Sequence, residues 1–139
     1  MNEFFSVDLI RNYFVTLAVF LAIDMVWLLV LSKELYSEKL GYLMNKSPNI
    51  SAALVFYLLF AAGLLFFVIQ PALASESWQY ALFAGLFFGL VTYATYDLTN
   101  LATIRDWPII ITIVDLIWGS FVTGSTSLIC FNIITRFFK

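Results

Sequence analysis

Three aspartates, Asp24, Asp97 and Asp115, are the side chains of this sequence best suited to chemistry, because each lies inside a long apolar segment. An ionised carboxylate in the core of a bilayer costs roughly 2.5 to 3.5 kcal/mol on insertion scales, so such a group normally faces the protein interior or a wet cavity. Carboxylates that crowd together cannot all be charged without compensation. The pattern therefore predicts a shared proton, a basic partner or a bound cation.

Polar neighbours on the third apolar segment extend this candidate site. Tyr93, Asp97 and Asn100 recur at spacings of four and three residues, which places them on one face of a helix. Arg105 follows just beyond this segment, and its long side chain is able to reach back toward Asp97 as a charge partner. The alternative interpretation is a structural stripe of hydrogen bonds between helices.

A tryptophan follows two of the acids at the same distance. Trp27 comes three residues after Asp24, and Trp118 comes three residues after Asp115. Trp27 fits either the wall of a pocket or the aromatic belt at the membrane surface. Trp118 lies too deep for the belt, so we expect it to form a pocket wall or to donate a hydrogen bond to a carboxylate.

The elements that position these residues are membrane-spanning helices. Of the 139 residues, 63% are hydrophobic and only 12% are charged, whereas a soluble domain carries about 25% charge. One crossing of the bilayer needs about 20 apolar residues. We predict a single all-α domain of four transmembrane helices in a compact bundle, with spans at about 13–31, 50–69, 78–101 and 108–134.

Two further patterns refine this bundle. Between the first two spans, apolar residues recur at helical spacing among lysines and glutamates, which predicts a short amphipathic helix, or a continuation of the first helix, over residues 32–49. On the third span, Ala81, Gly85 and Gly89 lie at successive intervals of four residues. This ridge of small residues predicts a close helix contact.

Counting along the spans places the three aspartates at one depth. Asp24 and Asp97 precede the first basic residue beyond their spans by nine and eight residues, and Asp115 follows Pro108 by seven. At a rise of 1.5 Å per residue, each carboxylate lies about 10 to 13 Å below the membrane face that bears the first and third loops. Basic residues divide three against four between the two faces, so the positive-inside rule predicts no orientation.

Composition also bounds the partners. The net charge of −2 and the lack of a basic run exclude nucleic acid. The sequence has no histidine and one cysteine, which removes the usual ligands of zinc, iron–sulfur clusters and haem, so neither a cofactor nor a dedicated metal site is predicted. We expect membrane lipid as a partner, with a proton, a cation or a small ligand at the acids, and either a homo-oligomer or a partner membrane protein.

Three functions fit these patterns. The first is proton- or cation-linked transport, or small-ligand binding, at the three carboxylates. The second is an accessory subunit whose polar face docks a transmembrane helix of another protein. The third is an enzyme acting on a lipid, with a carboxylate as the general base and the lysine-rich connector holding an anionic headgroup.

Several motifs together resemble one family. They comprise the runs 93–103, 106–108 and 112–119, and in the first half 21–28, 40–41 and 56–59. This combination resembles a family of small bacterial predicted membrane proteins known as domain of unknown function number 2177. The resemblance covers nearly the whole chain. It implies a four-helix protein of the bacterial inner membrane and no established activity.

Overall fold

Helices make up all of the regular structure in the computed structural model, which describes residues 6–44 and 47–138. The α-helices are α1 (Val7–Val26), α2 (Lys33–Leu40), α3 (Ile50–Leu64), α4 (Gln70–Ala74), α5 (Trp78–Thr103) and α6 (Ile109–Phe137). Two π-helical segments, Trp27–Leu31 and Leu65–Ile69, follow α1 and α3, and a 3-10 turn, Gly41–Leu43, follows α2.

Four helical stretches are long and apolar enough to cross a membrane, namely Val7–Val30, Ile50–Ala74, Trp78–Thr103 and Ile109–Phe137. The predicted fold class, an all-α four-span bundle, is confirmed. The first span begins earlier than predicted because Ser6 caps it, its hydroxyl accepting the Leu9 N–H at 3.1 Å. The second span continues past Pro71. This proline lies in the first turn of α4, directly after the π-helical segment, where the lack of a proline N–H costs little.

The third and fourth spans pack most tightly, through glycine. A Cβ atom on Gly85 would lie 2.7 Å from the Ser127 hydroxyl, and one on Gly89 would overlap the carbonyl of Gly119. The helix backbones therefore touch where these residues lack side chains. This confirms the close contact predicted from the ridge of small residues on the third span.

Polar contacts near the chain ends join the other spans. The Asn12 amide donates a hydrogen bond of 2.9 Å to the Gln70 side chain, which links α1 to α4. Arg11 forms an ion pair of 3.1 Å with Asp8, and its guanidinium lies 4.7 Å from the centre of the Phe138 ring. These contacts hold the first, second and fourth spans together at the membrane face that bears the chain ends.

The connector after the first span turns back over the bundle. The Ser32 hydroxyl and N–H both bond the Trp27 carbonyl, at 2.8 and 2.9 Å, which ends the π-helical segment and redirects the chain. Along α2 the lysines and glutamates are exposed, whereas Leu35, Tyr36 and Leu40 are half-buried. The predicted amphipathic connector is confirmed, and it forms a separate helix and not a continuation of the first.

Candidate functional site

A cavity of about 760 Å³ lies between α3 and α5, beneath the connector. It exists because aromatic rings, and not close backbone contact, bridge these two helices. The Phe60 ring lies 5.6 Å from the ring of Phe88 and 6.4 Å from that of Tyr93. The other walls come from the end of α1, from α6 and from the connector.

Asp24 lies at the back of this cavity with two hydrogen-bond donors. Its side chain is buried, with 6% of the residue exposed. The Tyr57 hydroxyl donates to one carboxylate oxygen at 2.6 Å, and the Trp118 indole N–H donates to the other at 3.2 Å. The donor role predicted for Trp118 is confirmed, and the carboxylate it serves is on the first span.

Asp115 lines the same cavity from α6. It is 7% exposed and accepts a hydrogen bond from the Tyr36 hydroxyl of the connector. Asp24 and Asp115 both line this cavity. The structure therefore brings together two of the three predicted acids, one from each of two antiparallel spans.

The two tryptophans form a single stack beside the acids. The rings of Trp27 and Trp118 are 4.4 Å apart and nearly parallel, at 8°. The Tyr36 ring meets Trp27 edge-on at 6.4 Å. Because Trp27 lines the cavity and is half-buried, the structure favours the pocket-wall interpretation of this residue over the membrane-belt interpretation.

Asp97 lies apart from the other two acids. It is fully buried, and among the described residues neither carboxylate oxygen has a hydrogen-bond partner. It does not line the cavity. Its backbone carbonyl accepts from the Thr112 hydroxyl at 3.4 Å, and that hydroxyl also accepts from the Trp107 indole at 3.1 Å, so Asp97 belongs to the contact between α5 and α6.

The predicted partnership of Arg105 with Asp97 is wrong. The helix ends at Thr103, and the turn that follows leaves Arg105 exposed, while the described structure gives the Asp97 oxygens no donor. The expectation of one three-carboxylate cluster is also corrected. Asp97 does not line the cavity that Asp24 and Asp115 share, and within residues 6–44 and 47–138 no group of three acidic, histidine or cysteine side chains could hold a metal ion.

The polar residues predicted on one face of the third span do not all line the cavity. Tyr93 lines the cavity and packs against the backbone of Gly119. Two turns further on, Asn100 is half-buried and does not line the cavity. Equal spacing along one helix predicted a shared face correctly, but it carried no information on which neighbouring helix each residue meets.

Two tyrosines in this site were not predicted. Tyr57 was visible as a polar ring in an otherwise apolar span, where a buried phenol normally needs a hydrogen-bond partner. Tyr36 was visible only as part of the amphipathic pattern of the connector. Its reach to Asp115 depends on the turn at Ser32, which no sequence motif indicates.

The charged side chains that line the cavity within residues 6–44 and 47–138 are all acidic. They are Asp24 and Asp115, and no lysine or arginine of the described part of the chain lines the cavity. The donors to these acids are neutral hydroxyl and indole groups, so they fix the carboxylates without cancelling their charge. This arrangement is suited to holding a proton or a cation between two spans.

A second cavity, of about 910 Å³, lies between the first two spans nearer the chain ends. Its lining, as far as the described residues show, is mainly aliphatic and aromatic and contains no carboxylate. It is larger than the acidic cavity, but the described residues that line it include no acidic or basic side chain. The acidic cavity is therefore the candidate functional site.

Four apolar spans around an acidic cavity define a small α-helical integral membrane protein. The chain belongs to a family of predicted membrane proteins, DUF2177, whose sequence model matches residues 9–132. This confirms the resemblance found in the motifs. The matched range includes every residue that lines the acidic cavity. No curated protein and no solved structure matches the chain.

Proposed function

We propose that this membrane protein binds a proton or a cationic ligand at Asp24 and Asp115, as the site of proton- or cation-linked transport or small-ligand binding. The observation that carries the proposal is that these two buried carboxylates line one cavity, and that no basic residue is found among the described residues of its lining. Two acids in this setting interact strongly and need a positive charge or a shared proton.

The hydrogen bonds around the acids support a binding role. Tyr57 and Trp118 donate hydrogen bonds to the two oxygens of Asp24, and Tyr36 donates one to Asp115. These hydrogen bonds fix the positions of both carboxylates. A site in which the binding groups are fixed beforehand loses less entropy when a ligand binds. The acids belong to different spans, so a bound positive charge would also attract α1 and α6 to each other.

We infer that the membrane is the cytoplasmic membrane of a bacterium. The family resemblance implies a bacterial source, and bacterial outer membranes are typically crossed by β-barrels, whereas the spans of this chain are apolar helices.

Infrared spectroscopy of the protein in lipid nanodiscs tests whether the two acids act as a pair. The carboxyl signals of wild type, Asp24→Asn and Asp115→Asn are followed through a pH titration and on addition of sodium or potassium. If the acids share a proton or a cation, removing either one changes the titration midpoint of the other. We expect a change of about one pH unit or more, because close carboxylates couple by at least that amount.

Asp106→Asn provides the matched control. Asp106 is an exposed acid in the loop between α5 and α6, with a φ of 62°, a conformation that asparagine tolerates well. This variant should leave the coupled titration unchanged. Independent titration of Asp24 and Asp115, with each variant removing only its own signal, would refute the proposed function.

A further inference from the structure

We infer that the ligand of the acidic cavity is an organic cation with an apolar body, which enters sideways from the bilayer between α3 and α5. This inference deepens the proposed function and depends on it. It rests on the chemistry of the cavity walls, on where the cavity opens and on what covers it.

The walls next to the acids are aromatic. The stacked rings of Trp27 and Trp118 line the cavity, and so do the rings of Tyr57, Phe60 and Tyr93. Aromatic faces attract organic cations such as ammonium groups through the charge distribution of the ring. A hard metal cation such as calcium instead requires roughly six to eight oxygen ligands, and the faces of aromatic rings supply none. Rings and carboxylates together select a cation that carries hydrocarbon.

The cavity opens toward lipid. The contacts of α6 with both α1 and α5, and of α1 with α3, close three sides, whereas α3 and α5 are bridged mainly by rings. At the edges of this gap, Leu59 is 67% exposed and Tyr96 is 57% exposed. Both belong to membrane-spanning helices, so their exposed surfaces face acyl chains.

The aqueous side of the cavity is covered. Tyr36, Leu40 and Met44 of the connector all line the cavity, and the Tyr36 hydroxyl is bonded to Asp115. An apolar molecule dissolved in the bilayer therefore reaches the acids without passing the connector. The cavity volume of about 760 Å³ lies within the range of about 300 to 1,000 Å³ that is typical of sites for drug-sized ligands.

Binding of a pair of oppositely charged probes of the same shape tests the inference. Tetraphenylphosphonium and tetraphenylborate have nearly the same apolar surface and opposite charge. Each is added to the protein in zwitterionic lipid nanodiscs, and partitioning into empty nanodiscs is subtracted. We expect saturable binding of tetraphenylphosphonium only, weakened roughly tenfold or more in Asp24→Asn and Asp115→Asn and unchanged in Asp106→Asn.

Three results would overturn the inference. They are no saturable binding of tetraphenylphosphonium by the wild-type protein, equal binding of tetraphenylborate, and full affinity in both carboxylate variants. The comparison of the two probes uses wild-type protein alone, so the test remains decisive if a variant does not fold, as judged by circular dichroism.

The outcomes also separate this inference from the proposed function. Tetramethylammonium is a cation without a large apolar body. If it, sodium or protons act on the paired acids while tetraphenylphosphonium does not bind, the organic-cation inference fails and the proposed function stands. If the infrared titration also shows independent acids, both fail.

Discussion

The contact between α5 and α6 allows a stability prediction based on one methyl group. In Gly89→Ala the new Cβ would overlap the Gly119 carbonyl and the Thr123 hydroxyl. The carbonyl is part of a helix backbone and cannot rotate away, so the two helices must separate. Overpacking of this kind costs about 1 to 3 kcal/mol. Alanine favours the helix over glycine by about 1 kcal/mol, which offsets part of that cost.

The expected net effect of Gly89→Ala is a loss of up to about 2 kcal/mol in the free energy of unfolding. Gly63→Ala is the matched control, since Gly63 also lies within a spanning helix but a Cβ there would meet only the edge of the Phe88 ring, at 3.4 Å. The control should be neutral or more stable by up to about 1 kcal/mol. Helix content measured by circular dichroism during titration of mixed micelles with sodium dodecyl sulfate gives both values.

The reasoning would be refuted if Gly89→Ala were as stable as Gly63→Ala. That result would mean that the backbones of α5 and α6 are farther apart than the glycine contacts require. A loss in Gly89→Ala together with weakened tetraphenylphosphonium binding is expected, since α5 also carries Tyr93 into the cavity wall.

Three other substitutions follow from individual contacts. Tyr36→Phe keeps the ring but removes the hydroxyl that donates to Asp115, and the loss of this hydrogen bond, worth about 1 kcal/mol, should raise the rate of amide hydrogen exchange in α2 about fivefold. Mass spectrometry measures this rate, and an unchanged rate would show that the hydrogen bond does not hold the connector in place. Asn12→Leu breaks the bond to Gln70 and should cost about 0.6 to 1.7 kcal/mol in the same unfolding titration, whereas a gain would contradict it. Asp97→Asn should change the affinity for tetraphenylphosphonium less than about twofold, because Asp97 lies outside the cavity. A loss of affinity equal to that in Asp24→Asn would instead support a site of three acids.

The sequence predicted the fold class because hydropathy in a bilayer is a strong constraint. Backbone groups must be paired within the span, so each long apolar run becomes a helix. The ridge of Gly85 and Gly89 predicted a close helix contact, but it did not identify the partner helix. Helix ends were less predictable, since the cap at Ser6 and the π-helical turn before Pro71 extend spans beyond their apolar runs.

The candidate site was predictable in part. Counting residues placed Asp24, Asp97 and Asp115 at one depth, but depth does not determine the direction in which a side chain points around its helix. That direction depends on packing, which buries the Asp97 side chain outside the cavity lining. The hydrogen bond from Tyr36 to Asp115 was not predictable, because it depends on the turn after the first span, where Ser32 bonds the Trp27 carbonyl.

The short link between α5 and α6 has a consequence for biogenesis. Residues 104–108 are all that separate these helices, and their contact depends on groups within the pair, such as Gly89 and Gly119. A hairpin of this kind is able to form in the membrane without the first two spans. The acidic cavity, whose walls come from both halves of the chain, would then be completed only when the N-terminal helices dock onto the finished hairpin.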